Sequence, residues 1–117
     1  MNNLRWVAPF IVSTEISAKF QKWMRKHFKD LENTGHFEEK VREIVQENAV
    51  AATDQAPAFD SIVYIHTPKS REAWKAYNEN DRADLKEDFK ENWGWAITGE
   101  KLIPGQQTMD ELAIVEK

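Results

Sequence analysis

The segment from Ile16 to Leu31 constrains this chain most. In it, Ile16, Phe20, Trp23, Met24, His27, Phe28 and Leu31 recur at the three- and four-residue spacings of one helical face. Such a helix is stable only when that face is buried against a second layer, so the rest of the chain must supply one. Two segments have the right character. Leu4 to Val12 is rich in β-branched and aromatic residues and reads as a strand, with Pro9, which cannot donate to a ladder, placing it at a sheet edge or a bulge. SIVYIHT, Ser61 to Thr67, has apolar residues on both parities between Ile62 and Ile65 and predicts a strand covered on both faces, at the centre of the sheet.

The other elements follow from local signals. Ser13 or Thr14 can cap the first helix, with Glu15 in its first turn, and Asn33, Thr34 and Gly35 end it. Phe37, Val41, Ile44, Val45 and Ala52 then predict a second amphipathic helix from His36 to Ala51, carrying Glu38, Glu39, Glu43 and Glu47 elsewhere on its surface. Thr67 and Pro68 form a cap and first turn for a helix bearing Trp74 and Tyr77. The run from Asn78 to Asp84 interrupts it, and Leu85, Phe89 and Trp93 resume it until Gly94. Trp95 to Ile103 reads as two short strands around a Gly99–Glu100 turn. The tail is ambiguous: Thr108 to Glu111 spells a capping box and favours a short helix, while Leu112 to Val115 could equally form a closing strand. These elements predict an α+β fold, a small sheet of three to five strands with two or three amphipathic helices packed on it.

A chain of 117 residues suits one domain, 1–117, and at that size folding buries roughly two thirds of the unfolded surface. With 41% hydrophobic residues, five Trp and six Phe, it lies far from the composition of disordered chains. No repeat or low-complexity tract is visible, and the only linker-like stretch is Thr53 to Pro57. There is no cysteine, which excludes disulfides and thiolate chemistry and suits a reducing compartment. The apolar run Trp6 to Val12 is too short to span a bilayer and carries no cleavage signal, so a soluble cytoplasmic protein is expected. In composition alone the chain resembles many small accessory proteins, including phage-encoded ones.

Charge is distributed unevenly. Residues 13–29 carry +4 and residues 30–60 carry −6 within a chain of net charge −4. Lys19, Lys22, Arg25, Lys26 and Lys29 share an arc of roughly 120° opposite the apolar face of the first helix. That arc is a solvated face whose stems cover apolar surface, a contact for a polyanion, or a membrane-docking face. The acidic segment that follows can neutralise it internally or serve a different partner. In the helix after Pro68, like charges such as Arg82 and Lys86 stack, which reads as solubility rather than a site.

No established catalytic motif is present. The histidines His27, His36 and His66 are not paired at metal-ligating spacing, no glycine-rich phosphate loop exists, and nothing positions a nucleophile beside a base, so neither a cofactor nor a metal is expected. His66, at the end of the expected central strand, would matter chemically only if it lay in a pocket. Gly94 lets Trp93 and Trp95 diverge, making Trp95 the candidate exposed aromatic. The sequence therefore favours a non-catalytic module that binds a larger protein through the basic arc and Trp95, with nucleic-acid binding through the arc as the alternative.

Overall fold

The structure, a computed structural model, describes residues 4–111. In chain order its elements are β1 (Leu4–Ser13), α1 (Ser17–Asn33), β2 (Phe37–Val50), β3 (Phe59–Pro68), α2 (Arg71–Asn80), α3 (Arg82–Thr98), β4 (Leu102–Pro104) and β5 (Thr108–Glu111). The five strands form one antiparallel sheet in the order β2-β3-β1-β4, and β5 pairs with β1 beyond β4. The α+β class is thus as expected. Two interleaved β-α-β units give the split pattern of ferredoxin-like folds, in which each helical connection skips over a neighbouring strand.

All three helices pack on one face of the sheet. Leu4, Trp6, Ala8, Phe10 and Val12 of β1 and Ile62, Tyr64 and His66 of β3 turn inward to meet Phe20, Met24, Phe28 and Leu31 of α1. The alternate residues Val7, Pro9, Ile11, Val63 and Ile65 line the other face, which no element among the described residues covers, and the molecule is only 20 Å thick along its shortest axis. The strand that the sequence predicts to be covered on both faces is therefore interior in the sheet but buried on one face only. Among the described residues no helix is long and apolar enough to cross a membrane.

Several local expectations are corrected. The segment from His36 to Ala51 is not a helix: Phe37–Val50 forms the strand β2. Its pairing with β3 contains two irregularities, and at each one β2 advances four residues, Glu38 to Arg42 and Gln46 to Val50, while β3 advances two. The first insertion lies between Phe37 and Val41 and gives that pair a helical spacing, while Ile44 and Val45, in the regularly paired stretch that follows, are exposed. Pro9 lies in an interior strand rather than at an edge. Its carbonyl accepts the Gly105 amide at 2.8 Å, so its missing donor faces the gap between the β4 and β5 ladders, where no bond is lost. Gly105 is required there because a Cβ would come within 2.8 Å of Pro9 Cγ. Thr108–Glu111 is a strand paired with Leu4 to Val7 instead of a capped helix, and Leu112 to Val115 lie outside the described residues.

Two helix ends also differ. Ser13 and Thr14 do not cap α1, whose first residue is Ser17; Ser13 Oγ accepts the Glu15 amide instead. The cap of α2 is Ser70, which accepts from the Ala73 amide, because Thr67 and Pro68 complete β3. Gly94 does not stop α3. The helix continues through Trp95 and Ala96 to Thr98, burying Trp93 and Ala96, so Trp95 to Thr98 forms no strand. It ends in a Schellman arrangement: the Lys101 amide bonds to the Ala96 carbonyl and the Glu100 amide to the Ile97 carbonyl. Glu100, not the preceding glycine, occupies the left-handed position at φ 59°. Glu100→Gly should therefore stabilise the protein by about 0.5–1 kcal/mol. A higher urea midpoint at an unchanged slope is the expected result, and a lower midpoint would show that the side chain is doing more than tolerating strain.

Candidate functional site

The wall of β1 is built large-small-large. Trp6, Ala8 and Phe10 follow one another on the helix side of the sheet, and the methyl group of Ala8 cannot fill the space between its neighbours. Above this gap α1 contributes Met24, His27 and Phe28, and α3 contributes Leu85 and Phe89. The result is a cleft of about 610 Å³ between the sheet and the two helices. Its size and its apolar, aromatic lining match those of small-molecule sites.

His66 is set into this wall by the strand register. It lies opposite Trp6 in the β1–β3 ladder, and the two rings stack with centroids 4.3 Å apart. Phe28 meets the imidazole edge-on at 5.0 Å. Only 2% of His66 is exposed, and its Nδ1 has no hydrogen-bond partner among the described residues. Burial, reinforced by the proximity of His27, pushes its pKa down to about 3, so the ring is neutral at physiological pH.

His27 sits on the same lining, stacked on Trp23 at 4.7 Å. Its Nδ1 comes within 3.4 Å of Asp88 Oδ2 but without hydrogen-bond alignment. Burial lowers its pKa more than Asp88 raises it. The Nδ1 atoms of both rings are closed to solvent and lack an aligned hydrogen bond, which is costly for a fold to maintain.

One end of the cleft is clamped by Arg82. Its guanidinium lies 5.2 Å from the Trp6 ring centroid and 5.4 Å from that of Trp74. It donates to Asn78 Oδ1 at 2.6 Å and to Gln107 Oε1 at 2.7 Å, and the same Gln107 oxygen accepts Trp6 Nε1 at 3.0 Å. Lys86 and Lys90 continue the lining one and two turns along α3.

The residues singled out in the sequence lie elsewhere. Lys19, Lys22, Arg25, Lys26 and Lys29 are all exposed on the side of α1 opposite its buried face. Arg25 is engaged by Glu43 at 2.6 Å, and the other Glu43 oxygen accepts Tyr64 Oη at 3.0 Å. One acidic residue of the following segment therefore does meet the arc, from a strand rather than a helix. With Arg25 61% exposed, that pair contributes little to stability. Trp95 is exposed on α3, its ring stacked on Trp93 and its Nε1 donating to the Asn92 carbonyl. Of the three histidines considered in the sequence, His66 and His27 line the cleft and His36 does not. Ala8, Arg82, Lys86 and Lys90 carried no distinguishing sequence signal beyond the stacking of like charges at four-residue spacing.

Residues 6–101 match a family described as a domain of unknown function, DUF4286. The chain belongs to the DUF4286 family. Its matched span begins at Trp6 and runs past α3, so it contains every wall of the cleft except Pro104 and Gln107. No curated protein and no solved structure matches the chain.

Because the folded state holds His66 neutral and the unfolded state does not, the resulting stabilisation is complete above pH 6.5 and is lost as pH falls below it towards 3. The loss approaches about 1.4 kcal/mol per pH unit in that window. Urea midpoints should fall between pH 7 and pH 5, and the fall should be smaller in His66→Phe, with His27 contributing in the same direction. An equal fall in both proteins would contradict the assignment.

Proposed function

We propose that this DUF4286 protein binds a small, ring-bearing, largely apolar molecule in the cleft between the sheet, α1 and α3. The observation that carries the reading is the unpaired Nδ1 of the buried His66 in an aromatic wall, beside a gap left by Ala8. A ring lying against Trp6 and Phe10 would replace missing packing, and a hydroxyl or carbonyl on it would satisfy the imidazole once the side chains that cover Nδ1 give way. A binding role fits better than acyl-transfer catalysis, since no Ser, Thr or Cys side chain is among the cleft's described lining. The lack of cysteine suits a cytoplasmic setting.

Titration of the protein with 2-naphthol, followed by tryptophan emission, tests this reading. Saturable one-to-one quenching is expected. Ala8→Leu, which fills the gap, should weaken binding at least ten-fold while the variant keeps a cooperative melt. Equal binding by the two proteins would place the ligand elsewhere.

A second reading keeps the protein-partner role. It is supported by Trp95, which is 57% exposed yet held by its stack on Trp93 and its bond to Asn92, as a pre-ordered contact residue would be. The arc of Lys19, Lys22, Arg25, Lys26 and Lys29 would complete the contact, or would hold nucleic-acid phosphates instead. Fluorescence anisotropy with labelled duplex and single strands separates the two uses. Salt-sensitive binding lost in Lys22→Glu/Lys26→Glu would support nucleic acid. No binding at low salt would leave the arc to a protein, for which photo-crosslinking from position 95 in cells should trap one dominant partner.

A further inference from the structure

The rim of the cleft differs in charge from the rest of the molecule. Among the described residues Arg82, Lys86 and Lys90 line it against Glu87, with Asp88 behind the lining His27, in a chain whose net charge is −4. The spacing is regular: the three cations follow one another at four-residue intervals along α3, beside the apolar ridge of Leu85, Phe89 and Trp93. Like charges stacked in this way destabilise a helix slightly, so a solvated surface alone gives no reason for the stripe to border the cleft.

The immediate contacts of Arg82 strengthen the point. The groups that hold it are neutral: the amide oxygens of Asn78 and Gln107 and the faces of Trp6 and Trp74. The acid next to it in sequence, Asp81, is bonded by His36 Nε2 at 2.9 Å. A guanidinium oriented by neutral partners keeps its charge available for an anion, and its fork suits a carboxylate. Lys86 and Lys90 are exposed, with long stems that can swing over the opening.

Resting on the cleft reading above, we infer that the natural ligand is an aromatic carboxylate, with its ring system against Trp6 and Phe10, its polar ring substituent on His66 and its carboxylate at the Arg82, Lys86 and Lys90 rim. The apolar lining accounts for the ring, the unpaired imidazole at depth for the polar substituent, and the cationic stripe for the acid. Together they specify a molecule with an anionic end facing solvent and a less polar end inside.

The test compares 6-hydroxy-2-naphthoate with its methyl ester by calorimetric titration of the full chain, in wild type and in Lys86→Gln/Lys90→Gln. Both lysines are exposed, so the double variant should fold, and its melt verifies this. The acid should bind at least ten-fold more tightly than the ester in wild type, and the preference should shrink with added salt and largely vanish in the double variant. Equal affinities for acid and ester in wild type would overturn the inference and leave the cleft reading standing. A preference that survives the double variant would put the anion at another place and overturn it too. Failure of both compounds to bind would overturn the inference and the cleft reading together.

Discussion

The antiparallel ladder between β1 and β3 is the constraint on which the site depends. It puts Trp6 opposite His66 and Ala8 opposite Tyr64, so the ring stack, the gap and the buried imidazole all follow from one register. A slip of one residue would turn these side chains to the uncovered face. Apolar patterning alone does not prevent that slip, because Val7, Ile11, Val63 and Ile65 make the other face apolar as well. Pro9 supplies directional information. With its carbonyl bonded to Gly105, its missing donor faces away from β3, leaving Ala8 and Phe10 to present their backbone groups to β3.

The polar groups of the cleft follow a common physical pattern. At depth, the imidazoles of His27 and His66 are kept neutral by burial, which removes the cost of a buried charge but leaves hydrogen-bonding capacity unused. At the rim the basic side chains are exposed or held by neutral groups. Gln107 links the two regions through a single oxygen, which accepts both the Trp6 indole and the Arg82 guanidinium. Because Gln107 lies between β4 and β5, the short C-terminal strands take part in shaping the site as well as in closing the sheet.

Much of the architecture was legible where one period dominated. The α1 stripe was readable because burial of one face sets its period, the strand around Tyr64 from its β-branched and aromatic residues, and the break near Asp81 from its polar run. β2 was not, since its first insertion spaces Phe37 and Val41 like a helix, Ile44 and Val45 are apolar yet exposed, and Asn48 in the second insertion takes a positive φ that no periodicity reports. Gly94 looked like a stop signal, but Trp93 and Ala96 on either side of it are buried, and their packing outweighs its propensity. The site was harder to read. His66 could be flagged by its place in a strand, but the cleft exists because Ala8 is small at one position, and a missing side chain leaves no pattern in a sequence. The charge stripe of α3 was visible and was read as solubility, because its relation to the cleft is set by how α3 lies over the sheet.

The central claim is that His66 is a neutral group of the cleft wall whose imidazole a bound ligand reaches. Nitrogen-15 NMR of the histidine side chains at pH 7, recorded before and after saturation with 2-naphthol, measures this directly. The account predicts a neutral imidazole in the free protein and a displaced Nδ1 resonance for His66 in the complex, with His36, paired to Asp81 outside the cleft lining, unmoved. A His66 that is charged at pH 7, or whose Nδ1 does not respond while the ligand saturates, would contradict it.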